Sequence, residues 1–252
     1  FWDRVRTSDD RIKEIIAKKG YSKTLDESIF TAAEHDEIIL CLNYDGLYGI
    51  NNINRFLQQS NPNKSTFWGM LEFKIGDPIL FNESERFAPI IYNNMKGKIT
   101  GIEILDKGQV TEHIQFDVLL DTLIDEDDAQ WQDFDLLSNN GVDESEIRFV
   151  VNKLKNVDDD EEENLRTELP FQIAYAISIH KAQGLEYRSV KIVITDEVDE
   201  LITHNIFYTA ITRAREKLKI YWTPEVEQAI LERIKPKDVK KDVGILRKYL
   251  ST

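Results

Sequence analysis

The sequence predicts an α/β protein, a parallel sheet with helices on both faces, interrupted by a small β-rich module. Three observations point there. Short, continuously apolar runs such as "DEIILCLNY" (36–44) and "SVKIVITDE" (189–197) read as strands buried on both faces, as in a parallel sheet. Stretches with three- and four-residue apolar spacing follow such runs and read as amphipathic helices. Between about Phe67 and Thr122 the texture changes to β-rich pieces with glycine at the turns.

Taken in order, residues 1–30 read as a helical lead-in. "DDRIKEIIAKKGY" offers Asp9 or Asp10 at a helix start, Ile12, Ile15 and Ile16 as the apolar face, and Gly20 as a stop. After the first strand, Ile50, Ile53, Phe56 and Leu57 form the apolar face of a helix that Pro62 ends. "MLEFKIGDPILFNES", "MKGKITGIEIL" and "EHIQFDVLLD" are the β pieces of the insert, expected over 66–122 as a small antiparallel barrel or sheet. Residues 123–168 read as an acidic connecting segment, with "DDAQWQDFDLL" and "DDDEEEN" its densest parts. After Pro170, "FQIAYAISI" reads as a strand, "SVKIVITDE" as another and "THNIFYTAITRAREKLK" as a helix. "IYW" is a last short strand and "PEVEQAILERI" a helix. The α/β domain is thus expected from two segments, 31–65 and 150–252.

The net charge is −14, but it is local. From Asp117 to Glu168 there are 18 acidic and 4 basic residues, while the rest of the chain holds 28 of each sign. The acidic stretch is read as a solvated, partly mobile loop region or, more sharply, as a segment that repels nucleic acid from one face. A single cysteine, Cys41, excludes an internal disulfide and favours a reducing, cytoplasmic setting; it reads as a small buried hydrophobe. No apolar run is long enough for a membrane span. "FWDRVRTSDD" is not a secretory leader, and the absence of a starting Met suggests a piece of something longer.

None of the eleven glycines opens a phosphate-cradling loop; "KGKIT" has Ile99 where Ser or Thr is needed. "KIVITDE" ends in Asp196 and Glu197, which are read as a cap or a solvated turn rather than as metal ligands. No metal set is expected, and His35, His113 and His204 are read as surface residues. Two stretches remain. "AYAISIHKAQGLEY" (174–187) begins as a buried strand and ends in a cluster of hydroxyl, imidazole, ammonium, amide and carboxylate. "YTAITRAREKL" (208–218) puts Thr209, Thr212, Arg213 and Arg215 on an expected helix start. Both are expected at adjacent strand ends of one sheet, the first at a C-terminal end, where chemistry in such sheets sits.

"AISIHKAQGLEY" resembles motif V of superfamily 1 helicases, and "FYTAITRAREKL" resembles motif VI. "DEIILCLNYDGLYGINNINRFLQ" is similar to the motif IV region of UvrD- and RecD-like members. "FKIGDPILFNES" with "NNMKGKITGIEIL" resembles the small SH3-like barrel that RecD-like members insert there. The resemblance covers about residues 30 to 230. It implies the second of two RecA-like domains of an ATP-dependent single-stranded DNA translocase or helicase, moving 5′ to 3′. The first domain would carry the P-loop, the Mg2+ carboxylates and the catalytic glutamate, so this chain alone would be inactive. ATP with Mg2+ is the implied cofactor, and single-stranded DNA and the N-terminal domain of the same protein are the implied partners. Arg213 matches the arginine that reaches the γ-phosphate, a task suited to a permanently charged, forked guanidinium. Glu186 and Gly184 match positions beside the nucleotide. Ser178, His180 and Lys181 match the part of motif V that grips the nucleic-acid backbone, and Gln183 would couple the two sides. Asp45 stands where many relatives have a basic residue, which leaves Asn43 and Arg55 as candidates there. Two other readings stay open: a non-catalytic helicase-like interaction module, and an RNA translocase.

Overall fold

The structure, a computed structural model, describes residues 25, 27–31, 36–82, 86–109, 112–139, 143–153, 166–197 and 201–233. Its elements, in chain order, are β1 (Glu37–Cys41), α1 (Ile50–Ser60), β2 (Ser65–Trp68), β3 (Leu71–Lys74), β4 (Pro78–Phe81), β5 (Lys96–Leu105), β6 (His113–Leu120), α2 (Glu126–Ala129), β7 (Asp135–Asn139), β8 (Ser145–Asn152), β9 (Phe171–Ile173), β10 (Ala176–Ser178), β11 (Tyr187–Val193), α3 (His204–Thr212), β12 (Ala214–Tyr221) and α4 (Pro224–Arg233). The chain divides into two compact units, Phe1–Gly49 with Ser178–Thr252, and Ile50–Ile177. The helix expected in "DDRIKEIIAKKGY" and the position of His35 lie outside the described residues.

The first unit carries the expected parallel sheet. β1 pairs with β11 in parallel, Glu37 opposite Ser189 and Leu40 opposite Ile192, and β11 pairs with β12, Val190 opposite Leu218. The strand order is β10-β1-β11-β12, with the chain passing between units inside β10. Buried on both faces, β1 and the end of β11 are continuously apolar, as their sequences predict. One exception is Lys191, 4% exposed, whose ammonium pairs with Glu37 Oε1 at 2.8 Å and donates to the Thr31 carbonyl at 2.9 Å. Buried charge persists only with such partners. α3 lies against β11 and β12 and buries Phe207, Ala210 and Ile211, with Phe207 stacked on Trp222 at 5.7 Å.

The second unit is built on a six-stranded antiparallel sheet in the order β7-β8-β6-β5-β4-β9. β6 and β8 alternate strictly between buried and half-buried, so Ile114, Phe116, Val118, Ile147, Phe149 and Val151 share one inner face. Phe73, Phe81, Phe87 and Phe171 join them in an edge-to-face cluster, with Phe116 and Phe171 centroids 5.0 Å apart. β2 and β3 form a separate two-stranded hairpin.

Several expectations need correction here. The module expected over 66–122 extends further, because β7, β8 and β9 supply three of the six strands. The paired order is open, running from β7 to β9. The segment 123–168 is therefore not simply a connector: α2, β7 and β8 lie within it, and β8 fills the core with every second residue while its charges face outward. The helix α1, expected with the parallel sheet, groups with the second unit. Its Gln58 amide donates to Asp77 Oδ2 at 2.6 Å and to the Glu72 carbonyl at 2.8 Å. Phe56, expected on the buried face of α1, is 50% exposed. "FQIAYAISI" is two strands in two sheets, split at Ala174–Tyr175, where Ala174 N–H donates to the Pro78 carbonyl. The Asn54 side chain then holds Ala176 at both its N–H and its carbonyl.

Candidate functional site

The loop after β10 is a chain of short turns. The Ser178 hydroxyl accepts from Lys181 N–H at 3.2 Å and its carbonyl accepts from Ala182 N–H at 3.2 Å. Gln183 N–H donates to the His180 carbonyl and Leu185 N–H to the Ala182 carbonyl. Ser178 is only 6% exposed, so its oxygen serves the turn, as Ser side chains do at helix-like starts. His180, Gln183, Gly184 and Glu186 are exposed and Lys181 is half-buried. Gly184 has φ +87, which a β-carbon disfavours, although a β-carbon there would meet no atom within 4 Å. Backbone conformation, not crowding, is what calls for glycine.

The helix expected to carry Arg213 ends before it. α3 stops at Thr212 and Arg213 is its C-cap, followed at once by β12. "AREKLKIY" is rich in helix formers, yet Leu218 and Ile220 are buried while Lys217 and Lys219 are exposed, and pairing with β11 decides for strand. The C-cap places Arg213 over the carbonyl end of α3. Its Nε donates to the Thr209 carbonyl at 2.9 Å and its Nη2 to the Thr212 hydroxyl at 3.2 Å, a favourable place for a cation at a helix end. Its Nη1 donates to the Leu185 carbonyl at 2.8 Å, and its own carbonyl accepts from Tyr187 N–H at 2.8 Å. Arg213 thus clasps the residues on both sides of Glu186. Among the described residues, three of the guanidinium's five N–H groups are bonded.

This corrects the expected location in one respect. The first stretch does start at the C-terminal end of β10, but Glu186 and Arg213 precede β11 and β12, at the beginnings of parallel strands. Asp36, just ahead of β1, sits at the same edge. Its carboxylate accepts from Arg188 N–H at 2.8 Å and pairs with Arg215, while Arg188 Nε bonds Glu216 at 2.7 Å. That bond from Arg188 is the main reason the Glu216 carboxyl is held below the usual carboxylate range. Sequence reading passed over Asp36, and also the carbonyls of Leu185 and Thr209, because a backbone acceptor leaves no mark on residue type.

The remaining candidates are less convergent. The Asn43 amide donates to the Asp45 carbonyl at 2.9 Å, and its oxygen is buried without a partner among the described residues. Arg55 bonds Asn52 on its own helix at 2.8 Å. His113 is half-buried with Nδ1 2.8 Å from Asn152 Oδ1, and His204 is half-buried and stacks on Tyr208, so neither is a plain surface residue. A cleft of about 520 Å³ lies in the second unit. Its arginines are already committed: Asp133 bridges Arg86 and Arg166, and Asp117 holds Arg148 through both oxygens.

The clasp joins two stretches 28 residues apart in one continuous piece of chain, and that piece is recognisable. Residues 173–221 match the UvrD-like helicase C-terminal domain. The matched segment runs from β9 to the end of β12 and so contains both halves of the clasp. Over 219 residues, 84% of its length, the chain is 25% identical to RecBCD enzyme subunit RecD of Buchnera aphidicola subsp. Schizaphis graminum, of which it spans 29%. Over 80 residues it is 36% identical to the ATP-dependent DNA helicase Pif1 of Campylobacter jejuni, covering 31% of this chain and 15% of that one. A solved Pif1 helicase from Candida albicans overlays 97% of this chain and 59% of its own at 14% identity, with a TM-score of 0.48, too distant to add to the fold. The UvrD-like segment and the RecD and Pif1 sequence relatives support a superfamily 1 helicase resemblance, and the match spans 29% of the RecD protein.

Proposed function

We propose that this chain is the second RecA-like domain, with its insert, of an ATP-dependent single-stranded DNA translocase or helicase. One observation carries the reading: Arg213 bonds the Leu185 carbonyl beside Glu186 within the UvrD-like segment. In this account Arg213 is the arginine finger. Its guanidinium turns from the Thr209 and Leu185 carbonyls toward the γ-phosphate of ATP held by a preceding P-loop domain. Leaving neutral carbonyls for a polyanion strengthens its bonds, because both partners are then charged. Glu186 and Gly184 border the nucleotide. His180 and Lys181 face the DNA backbone, and Ser178 keeps their loop in shape. When ATP is bound it draws the two RecA-like domains together, and its hydrolysis lets them part.

Because the Arg213 guanidinium bonds the Leu185 carbonyl, a shift of it is felt in the loop that carries His180 and Lys181. That is a physical route from nucleotide to strand. In this reading Mg2+ would be held by the carboxylates of the P-loop domain. No helix among the described residues is long and apolar enough to cross a membrane, and a cytoplasmic setting is part of the proposal.

The split site makes a direct prediction. The purified chain should show no ATP turnover above background with or without single-stranded DNA. DNA-stimulated turnover by the pure chain would sink the assignment of the P-loop to another domain. In the full-length parent, stimulation by single-stranded DNA should exceed that by RNA of the same length; the reverse order would select the RNA reading.

A further inference from the structure

We propose that the outer edge of β7, with the cleft beside it, docks an extended lysine- or arginine-rich segment of another polypeptide as an added strand. The proposal does not rest on the helicase reading. β7 ends the six-stranded order, and among the described residues no strand pairs with its outer side. An open edge of this kind is a template for another chain, and proteins commonly protect such edges with lysine or proline. β7 has neither. Its neighbourhood carries the opposite charge: from Asp121 to Asn139 there are seven carboxylates and no basic residue, and, with Asp121 paired to Lys96 and Asp133 to Arg86 and Arg166, it is Asp125, Glu126, Asp127 and Asp128 that would meet a guest.

The edge also adjoins a cleft with a mixed polar and apolar lining. A cleft of about 420 Å³ opens between α2 and β7, with Ala129, Phe134, Leu136 and Leu137 in its wall. Around it three large apolar side chains stand out in solvent: Trp131 is 82% exposed, Leu123 48% and Leu137 40%. Leu137 is the extra residue where the β7–β8 register shifts. Apolar groups grouped within a few residues of an open edge mark an interaction surface more than a solvated loop. Strand addition uses all of these features. Main-chain bonds form along β7, alternate side chains of the guest meet the cleft and Trp131, and its intervening basic side chains meet the carboxylates. The same carboxylates repel a phosphodiester chain, so the guest is a polypeptide.

The test titrates the purified 252-residue chain with three decapeptides: alternating Lys-Val, alternating Lys-Pro of the same charge, and alternating Glu-Val. Calorimetry at low salt should show binding of Lys-Val, with Lys-Pro at least about tenfold weaker because proline fixes φ near about −65° and holds the guest off the extended geometry of a ladder, and no binding of Glu-Val. Trp131→Ala and Leu137→Lys, both at exposed positions, should each weaken Lys-Val at least about tenfold without changing the melting temperature. Phe67→Ala on the separate β2–β3 hairpin should leave binding unchanged. Equal binding of Lys-Val and Lys-Pro, failure of Lys-Val to bind, or indifference to both β7-side variants would overturn the proposal. So would displacement of Lys-Val by a single-stranded oligonucleotide.

Discussion

Arg213 spends its charge on two neutral carbonyls and a hydroxyl in this structure, and the proposed function has it leave them for phosphate. The neighbouring Gly184 shows how a residue type can be legible while its cause is not. Its match to motif V points to a place beside the nucleotide, whereas φ +87 in open space gives a conformational reason for glycine. Gly184→Ala should therefore cost about 1–2 kcal/mol of stability, measurable by denaturant titration, with Gly184→Asn costing less. Equal stability of the alanine variant would mean that the loop adopts another conformation in solution. Cys41 was legible throughout: it is fully buried in β1 and burial pushes its thiol up to about 12. The folded chain keeps this proton at pH values where the unfolded chain, near 9, loses it. The contribution of Cys41 to stability is therefore full below pH 9 and declines as pH rises from there toward 12. A thiol-alkylating reagent at pH 8 should label Cys41 only as fast as the protein unfolds. Rapid labelling of the native protein would contradict the burial.

At the scale of elements, the apolar runs were easy to read and the junctions were not. β1 and the end of β11 are continuously apolar, a pattern that only a sheet covered on both faces accommodates. β12 was misread because Arg, Glu and Lys favour helices locally, while pairing with β11 outweighs that preference. β7 and β8 were hidden by charge. "SEIRFVVN" does alternate, yet an acidic surround made the whole stretch look like linker. Lys191 illustrates the energetics inside the parallel sheet. It sits in the apolar run of β11 and is matched by Glu37 across the β1–β11 pair, with the Ser189 hydroxyl donating to the other Glu37 oxygen at 2.7 Å. Lys191→Ala leaves a carboxylate with little solvent and should destabilise the chain by about 3–5 kcal/mol; replacing both residues with apolar ones of similar volume should cost much less. Thermal or denaturant unfolding of the two variants distinguishes the pair from a packing effect. Similar losses in both would assign the cost to packing alone.

For the molecule as a whole, the formal charge of −14 argued against a nucleic-acid partner until its distribution was seen. The charge excess lies in the second unit, which holds 25 acidic and 11 basic residues against 21 of each in the first, and Ser178, His180, Lys181, Glu186 and Arg213 all belong to the first. On the two proposals above, that segregation would let one chain carry a surface for phosphates and another for basic polypeptides. The division into units at Gly49 and Ile177 was only half legible, because α1 follows β1 in the usual α/β rhythm and only its side-chain bonds to Glu72, Asp77 and Ala176 assign it elsewhere. The central claim is that Arg213 completes an ATP site whose other half lies on a preceding domain. Its most direct test is steady-state ATP turnover of the full-length parent carrying Arg213→Ala, measured together with single-stranded DNA affinity. The account predicts a loss of roughly 10³- to 10⁵-fold in turnover, with DNA affinity nearly unchanged. Turnover within about tenfold of the parent would contradict it.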